Sequence, residues 1–436
     1  MLDVRAPTET APWRALAGWL VLIVIAVVWG DVLVATHHHL DLAAPPFWSP
    51  FRIHPTTRLV PALVVAYGAV RWGPVAARRL RWRPLLAATA AVGALWAVAV
   101  AFVDNIDGVN ALTDPVRLTR NDYLQSAREI GSLHIFLSQF VTKIAQYPQN
   151  TKGHPPGMVV IEWLLDKVGV TSAGWNAALV VAGGAVAGVA ALVALRDVAG
   201  EDAARSAAPF MVLLPAVIWW QTADAFFAGV AACSVTAIVL ATARHDRRAP
   251  TLAVAGGLGF GVTAFLSYGL VLLAVVPIAV CVTRRRARLL AFAALGALPV
   301  FIAFGALGFS WFAGLAATRH EYWTGVAAHR PYSYFLVADL ALFAIATGPA
   351  VAVALTRLRD ARVWLLVAAA LAVVALADLS GMSKAEVERI WLPFVPWVVL
   401  ATAGLGGLCP STRVRPWLTL QAACTLIVAT TIWSHW

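Results

Sequence analysis

Long apolar stretches alternate with short polar ones along the whole chain. An apolar run of about 18 residues or more matches the length of a helix that crosses a bilayer. In hydrocarbon every backbone N–H and C=O needs a partner, and a helix supplies one within its own segment. We predict about 13 spans, at residues 15–36, 57–74, 84–103, 173–195, 206–221, 225–242, 250–267, 269–283, 289–308, 335–356, 363–379, 390–407 and 417–434.

This pattern predicts an all-α fold class, a polytopic transmembrane helical bundle without a soluble domain. The polar segments 37–56, 104–172, 309–334 and 380–389 are the longest ones between the predicted spans. The first apolar run has no small-residue cleavage site after it, so we expect a retained helix rather than a removed signal peptide. Residues 1–436 are therefore expected to form one integral membrane domain.

Composition agrees, since 61% of the residues are hydrophobic and only 13% are charged, against about 25% in soluble domains. The net charge of +11 would suit a nucleic-acid partner, but its distribution indicates membrane topology. Basic residues gather in the short loops 71–83, 196–205, 244–248, 284–288, 357–362 and 413–415. With the N-terminus in the cytoplasm, these loops obey the positive-inside rule and contact anionic lipids, and we expect no nucleic-acid partner.

The titratable groups have the opposite bias. Of the 10 histidines, only His245 falls on the predicted cytoplasmic side. Most acids also lie in the four long segments on the extracytoplasmic side. We therefore expect a multi-pass plasma-membrane protein whose proton chemistry takes place at its extracytoplasmic face.

The segment 104–172 holds most of these groups. Residues 121–147 have helical composition with an apolar stripe, which predicts helices lying along the membrane surface. Pro155-Pro156 is suited to opening a helix, predicted from Gly157 to about Val168. At about 18 Å this helix is too short to cross a core of about 30 Å, so we expect it to stay at the outer interface.

Three acids of these segments are candidates for catalysis. Asp104 and Asp107 lie at the outer mouth of the third predicted span, three residues apart, where they share a face if the helix continues. Asp224 lies at a tight hairpin between two spans. Each acid alone also suits a helix cap or the end of a span. Because all three would lie at one membrane level, together they indicate a catalytic site.

Cations near the same interface are candidates for binding a phosphate, although such side chains also snorkel to lipid headgroups. They are Lys152, His154, Arg330, Lys384 and Arg389. Glu388 and Arg389 stand at a membrane boundary, where charges are costly unless paired or functional. Asp31 and Asp339 lie inside predicted spans, so we expect both to face the bundle interior.

The sequence gives little support for metal binding or for disulfide bonds. Adjacent histidines cannot easily all reach one ion, so we expect no metal at 37–39. The 4 cysteines show no CxxC spacing, and we expect them to be small buried apolar residues.

Several motifs resemble the GT-C superfamily of membrane glycosyltransferases, which use polyprenyl-phosphate-linked sugars. Tyr123–Ile130 (YLQSAREI) is similar to a helix in the large outer loop of these enzymes. Gly153–Gly157 (GHPPG) is similar to their Pro-Pro motif, and Thr222–Asp224 to their second acid after a helix hairpin. Lys384–Pro393 (KAEVERIWLP) resembles their arginine-containing outer loop. GHPPG together with EVERIWLPF is also similar to uncharacterised integral membrane proteins of actinobacteria.

The resemblance covers most of residues 84–407, with the outer loop 104–172, and the chain departs from it in places. The acid-bearing loop follows the third helix instead of the first, so 1–83 holds two additional N-terminal helices and a basic loop. Residues 408–436 form a terminal helix. Thr119-Arg120 replaces an acidic pair, and Tyr268 stands where a lysine is usual.

The resemblance implies an inverting glycosyltransferase that moves a hexosyl or pentosyl group from a polyprenyl-phosphate donor to a hydroxyl of a cell-envelope glycan, lipid or protein. We expect Asp107 as the base, with Asp104 as the close alternative. We also expect Asp122, Asp224 and Glu386 to position the acceptor or a cation, and Lys152, His154, Arg330 and Arg389 to hold the phosphate. No cofactor is assigned, and a divalent cation held by acids is an alternative to the cationic side chains.

Two other classes remain as alternatives. A transporter or flippase of a lipid-linked or small-molecule substrate would place polar groups at mid-bilayer, between two matched halves with broken helices. A structural membrane protein would have expendable outer acids.

Overall fold

The computed structural model describes residues 12–54, 56–104, 112–113, 123–170, 172–406 and 411–433, without the side chains of residues 104, 326 and 411–413. The molecule is 79% helical. Among the described residues the only β-type pairing is two isolated bridges, Ala44 with Phe47 and Phe51 with Ile432. The predicted all-α class is confirmed.

The α-helices, numbered in chain order, are α1 Pro12–Ala35, α2 Leu59–Arg79, α3 Trp82–Asp104, α4 Tyr123–Arg128, α5 Leu133–Gln139, α6 Gln149–Gly153, α7 Gly157–Lys167, α8 Ala173–Ala199, α9 Glu201–Val212, α10 Ala223–Thr242, α11 Arg248–Leu266, α12 Val275–Thr283, α13 Arg288–Ala306, α14 Trp311–Thr324, α15 Tyr332–Thr347, α16 Pro349–Arg357, α17 Ala361–Leu379, α18 Val387–Ile390, α19 Val395–Val399, α20 Ala403–Gly406 and α21 Ser411–Thr431. The 3₁₀ turns are Ile144–Gln146, Pro215–Trp219, Tyr268–Ala274, Val326–Ala328 and Leu400–Thr402.

Eight helices of the described chain are long and apolar enough to cross a membrane, or 9 if one bent pair counts as a span. They are α1, α2, α3, α8, α10, α11, α13 and α17. Each matches a predicted span, so the multi-pass membrane bundle is confirmed. The predicted count of about 13 is not.

Three predicted spans are interrupted, and two of the breaks have a local cause. The span 206–221 stops after α9 and continues as a 3₁₀ turn that opens with Pro215, which cannot donate a backbone hydrogen bond. The span 335–356 bends by 91° between α15 and α16, where Gly348 takes the left-handed φ of +87° and a proline follows. The span 390–407 is divided among α18, α19, a 3₁₀ turn and α20.

The centre of the bundle is built on the contact between α8 and α10. Their backbones touch where both helices carry glycine. A Cβ on Gly183 would lie 2.4 Å from the Cα of Phe226, and a Cβ on Gly229 would lie 2.7 Å from the carbonyl oxygen of Gly183. Small residues allow such close approach between membrane helices, and this contact fixes the start of α10 against α8.

The two ends of the helical bundle have different polar contacts. At the end of α8 and α10, Arg284 donates to the Asp197 carboxylate at 2.6 Å and to the Thr242 hydroxyl at 2.8 Å. At the start of the same helices lie Asp224 and the surface helices. We call this second end the site end.

The surface helices α4 to α7 form the predicted helical segment, and α7 agrees with the predicted helix from Gly157 to about Val168. Side-chain hydrogen bonds hold α6 in place. Ser126 pairs with Thr151 at 2.8 Å, and the Thr318 hydroxyl donates to the Lys152 carbonyl at 3.0 Å. The loop preceding α7 is thus tied to both α4 and α14.

The predicted burial of single acids and cysteines is confirmed at some positions and wrong at others. Asp339 is 1% exposed and faces the interior as expected, but Asp31 is exposed, because α1 lies at the periphery with much of its apolar surface uncovered. The expectation for Asp31 was therefore wrong. Cys281 and Cys424 are buried as expected, whereas Cys233 is exposed.

Replacing Gly183 by valine is expected to push α8 and α10 apart, because the added carbons meet backbone atoms that cannot move aside. We expect the melting temperature in detergent to fall by about 5 °C or more. Gly18→Val is the matched control, since a Cβ there meets nothing within 4 Å. Equal melting temperatures of the two variants would contradict the close-contact interpretation.

Candidate functional site

Asp224 is placed by the turn that precedes α10. The 3₁₀ turn Pro215–Trp219 brings the chain back to the site end, and the Thr222 hydroxyl closes the turn by donating to the Trp219 carbonyl at 3.0 Å. Asp224 follows in the first turn of α10 and is only 4% exposed. A carboxylate at this position is stabilised by the positive end of the helix dipole.

Arg389 meets Asp224 from a segment that is distant in the sequence. Arg389 lies in the short helix α18 and is 8% exposed. Its Nη1 donates to Asp224 Oδ2 at 3.0 Å, and its Nε and Nη2 donate to Glu386 Oε2 at 3.0 Å and 2.5 Å. Burial acts to lower the pKa of Arg389, but the carboxylates of Glu386 and Asp224 outweigh it and raise that pKa. The guanidinium therefore stays charged.

His154 enters the same place from the loop that precedes α7. Its Nδ1 lies 2.9 Å from the carbonyl oxygen of Asn150. A carbonyl can only accept, so Nδ1 carries the proton and Nε2 keeps its lone pair. Burial lowers the pKa of His154, and the nearby Asp224 only partly opposes this. The imidazole is therefore held in its neutral form.

Aromatic side chains surround the imidazole. The ring of Tyr123 packs edge-on to His154 with centroids 5.8 Å apart, and the ring of Phe227 lies at 6.0 Å. Tyr123 is 4% exposed and lies close enough to Arg389 to contribute, after Glu386 and Asp224, to raising the pKa of Arg389. Four separate chain segments thus meet, and the Arg389 site is defined as Tyr123, His154, Asp224, Glu386 and Arg389.

The structure does not bring Arg330 into this site, although the sequence suggested a role in phosphate binding. Arg330 is 7% exposed, and its guanidinium donates to the carbonyls of Leu40, Asp41 and Lys384. In return the Lys384 ammonium donates to the carbonyls of Arg330 and Ala327, at 2.9 Å and 3.0 Å. This Arg330–Lys384 brace joins three surface segments of the site end.

The brace shapes the backbone that presents Glu386. Ala385 and Glu386 both adopt left-handed backbone angles, with φ of +78° and +60°. Such angles cost energy in residues other than glycine. The backbone N–H of Ala385 is held by the Asp339 carboxylate at 3.1 Å, and that of Lys384 by the Tyr322 hydroxyl at 2.8 Å.

The remaining predicted site residues have different outcomes. Lys152 lies in α6, partly exposed, and among the described residues its ammonium has no hydrogen-bond partner. Asp107, Asp122 and the side chain of Asp104 lie outside the described part of the chain. In that described part no group of three or more His, Cys, Asp or Glu side chains is arranged to hold a metal ion.

Glu388 is a buried acid beside the Arg389 site. It is 2% exposed, and within the described residues its Oε2 has no hydrogen-bond partner. Burial raises the pKa of Glu388 to about 8, with Glu386 adding to the effect and Arg389 opposing it. A cavity of about 480 Å³ lies elsewhere, lined by residues including Arg78 and Asp202 at the end opposite the site, and it has no part in this chemistry.

Replacing Glu388 by glutamine is expected to remove a pH dependence of stability. The folded pKa of about 8 lies above the ordinary value of 4.5. Between these values the folded state holds a proton that the unfolded state has released, so stability falls as pH rises. Melting temperatures measured from about pH 5 to pH 9 should therefore fall more steeply for the wild type than for Glu388→Gln. Parallel curves for the two proteins would show that Glu388 is ionised in the folded state.

Comparisons with known proteins give a limited likeness in structure. No family model and no curated protein matches the chain. One similar solved structure is ArnT from Cupriavidus metallidurans in the apo state, which has 18% sequence identity, covers 70% of this chain and 59% of its own, and has a TM-score of 0.41. Another is the Archaeoglobus fulgidus oligosaccharyltransferase in complex with zinc and sulfate, which has 16% sequence identity, covers 78% of this chain and 52% of its own, and has a TM-score of 0.44. The chain thus spans little more than half the length of either protein.

Proposed function

We propose that the protein is a membrane glycosyltransferase that moves a sugar from a polyprenyl-phosphate donor to a hydroxyl group of an envelope glycan, lipid or protein. The observation that carries the proposal is the Arg389 site itself. A buried guanidinium, two carboxylates and a neutral imidazole converge at the end of the membrane-crossing helices. A donor whose tail lies in the bilayer presents its phosphate at this level.

Arg389 has the right geometry for the phosphate of such a donor. A guanidinium offers pairs of N–H groups that match two oxygens of a phosphate, and the contact strengthens in a low-dielectric site. His154 directs Nε2 away from its Asn150 contact, and Lys152 adds an ammonium two residues earlier. Arg389 and Lys152 would hold the phosphate and stabilise the charge that develops on it as it leaves. His154 would join them only once its Nε2 has gained a proton, since a lone pair cannot donate to a phosphate oxygen.

The transfer itself needs a base for the acceptor. The acceptor hydroxyl gives its proton to a carboxylate while its oxygen attacks the anomeric carbon. The bond from that carbon to the phosphate oxygen breaks, and its electron pair goes to the lipid phosphate. A direct displacement inverts the anomeric centre. From the sequence resemblance we assign the base to Asp107, with Asp104 as the alternative, and assign Asp122 and Asp224 to positioning the acceptor or a cation.

The extracytoplasmic side is supported by the charge pattern of the sequence. The loops on the other side of the predicted topology carry the clustered arginines, for example Arg284 to Arg286. A transporter or flippase would concentrate its polar groups at mid-bilayer. The Arg389 site lies instead at the start of α10, which favours the enzyme.

Replacing Arg389 by alanine is expected to reduce transfer by about 100-fold or more, because the buried donor to the leaving phosphate is lost. The assay incubates the purified protein with a panel of polyprenyl-phosphate sugars and membrane acceptors and detects the product by mass. Arg319→Ala is the control, since Arg319 is exposed on α14. Unchanged transfer by Arg389→Ala would remove the phosphate role of this site.

The base is tested in the same assay with Asp107→Asn and Asp104→Asn. An asparagine keeps the size of the side chain but cannot accept the proton, so we expect one of the two variants to lose about 100-fold or more in kcat. Full activity in both would exclude the mechanism with either acid as the base.

A further inference from the structure

Both edges of the Arg389 guanidinium are occupied by carboxylates. Nη1 donates to Asp224, while Nε and Nη2 together donate to one oxygen of Glu386. The Nε–Nη2 edge is a parallel pair of donors, the arrangement that binds a carboxylate or phosphate in a bidentate manner. A donor phosphate that uses this edge has to take the place of Glu386.

The two carboxylates differ in how firmly they are held. The Asp224 side chain is 5% exposed and fixed in the first turn of α10, whereas the Glu386 side chain is 21% exposed. Glu386 also lies in a loop where two successive non-glycine residues have left-handed angles. An anion arriving from the solvent meets Glu386 first, and Glu386 is the carboxylate that can turn away.

The charge balance of the site favours replacement of the Glu386 carboxylate by the donor phosphate over binding of the phosphate beside it. Among the described residues of the Arg389 site, one guanidinium faces two carboxylates and the imidazole is neutral, so these groups together carry one net negative charge. The phosphodiester of a polyprenyl-phosphate sugar carries one more. If Glu386 stayed, two like charges would lie together in a poorly solvated site, where repulsion is strong. If the phosphate replaces it, the net charge does not change.

We propose that the Glu386 carboxylate is an internal stand-in for the donor's phosphate, occupying the Nε–Nη2 edge of Arg389 while the site is empty and leaving it when a phosphate binds. This inference rests on the proposed function, because it assumes that the Arg389 site receives a lipid phosphate. The stand-in keeps the buried guanidinium paired in both states, which avoids the large cost of an uncompensated buried charge. It also competes with the donor and so weakens donor binding.

The test measures binding of farnesyl phosphate, a short polyprenyl phosphate, to the purified full chain in detergent, with farnesol as the uncharged comparison. Glutamine at position 386 keeps the shape but carries no charge and competes less for Arg389. We expect Glu386→Gln to bind farnesyl phosphate about fivefold more tightly than the wild type. Glu321→Gln, a partly exposed acid at the same end of the bundle, should bind like the wild type.

Three results would count against the inference in different ways. Equal or weaker binding by Glu386→Gln, with the wild type binding normally, overturns the stand-in and leaves the proposed function intact. Binding that persists in Arg389→Gln places the phosphate elsewhere. No binding by either the wild type or Glu386→Gln, with unchanged melting temperatures, removes both the phosphate site of the proposed function and the stand-in.

Discussion

The ion pair between Asp224 and Arg389 is the interaction on which the site end depends. Both charges are almost fully buried, and each would be strongly destabilising if its partner were removed. The pair therefore fixes the short helix α18 against the start of α10, although 165 residues separate the two positions. Glu386, His154 and Tyr123 take their places around it.

This pair in turn depends on the backbone contact between α8 and α10. Where Gly183 meets Phe226 and Gly229 meets Gly183, no side chain separates the helices. The height and rotation of the first turn of α10 are consequently set by main-chain atoms. A carboxylate carried on such a turn has little freedom, which explains why Asp224 is a fixed partner of Arg389.

The sequence predicted those parts of the fold whose cause is local. Long uninterrupted apolar runs such as α1 and α8 were found because length and hydropathy decide them, and α7 was found because Pro155-Pro156 marks its start. The predicted spans 206–221, 335–356 and 390–407 are broken in the structure, since composition does not show how chain breaks at proline and glycine are satisfied by neighbouring helices. Asp31 was misplaced for a related reason, because periodicity does not reveal which helix lies at the periphery.

For the site, the sequence supplied the members but not their contacts. By residue type and membrane level, the candidates included Asp224, Glu386, His154 and Arg389. Arg330 met the same two criteria but serves in the brace instead. Phe227 was missed, since nothing in the sequence of an apolar helix marks one ring as the neighbour of a histidine. Such pairings depend on contacts between distant segments.

The Arg330–Lys384 brace has a consequence for how the two halves of the site end respond to their surroundings. Two cations lie side by side there, and the oxygens that accept from them are backbone carbonyls. Carbonyl oxygens do not titrate, so acidification of the surrounding medium does not remove the groups that accept from the brace. The Arg389 site, in contrast, is held by the carboxylates of Asp224 and Glu386. Within the described chain the brace is therefore assembled without any acidic partner, so the carboxylates of the site end stay available to the Arg389 guanidinium.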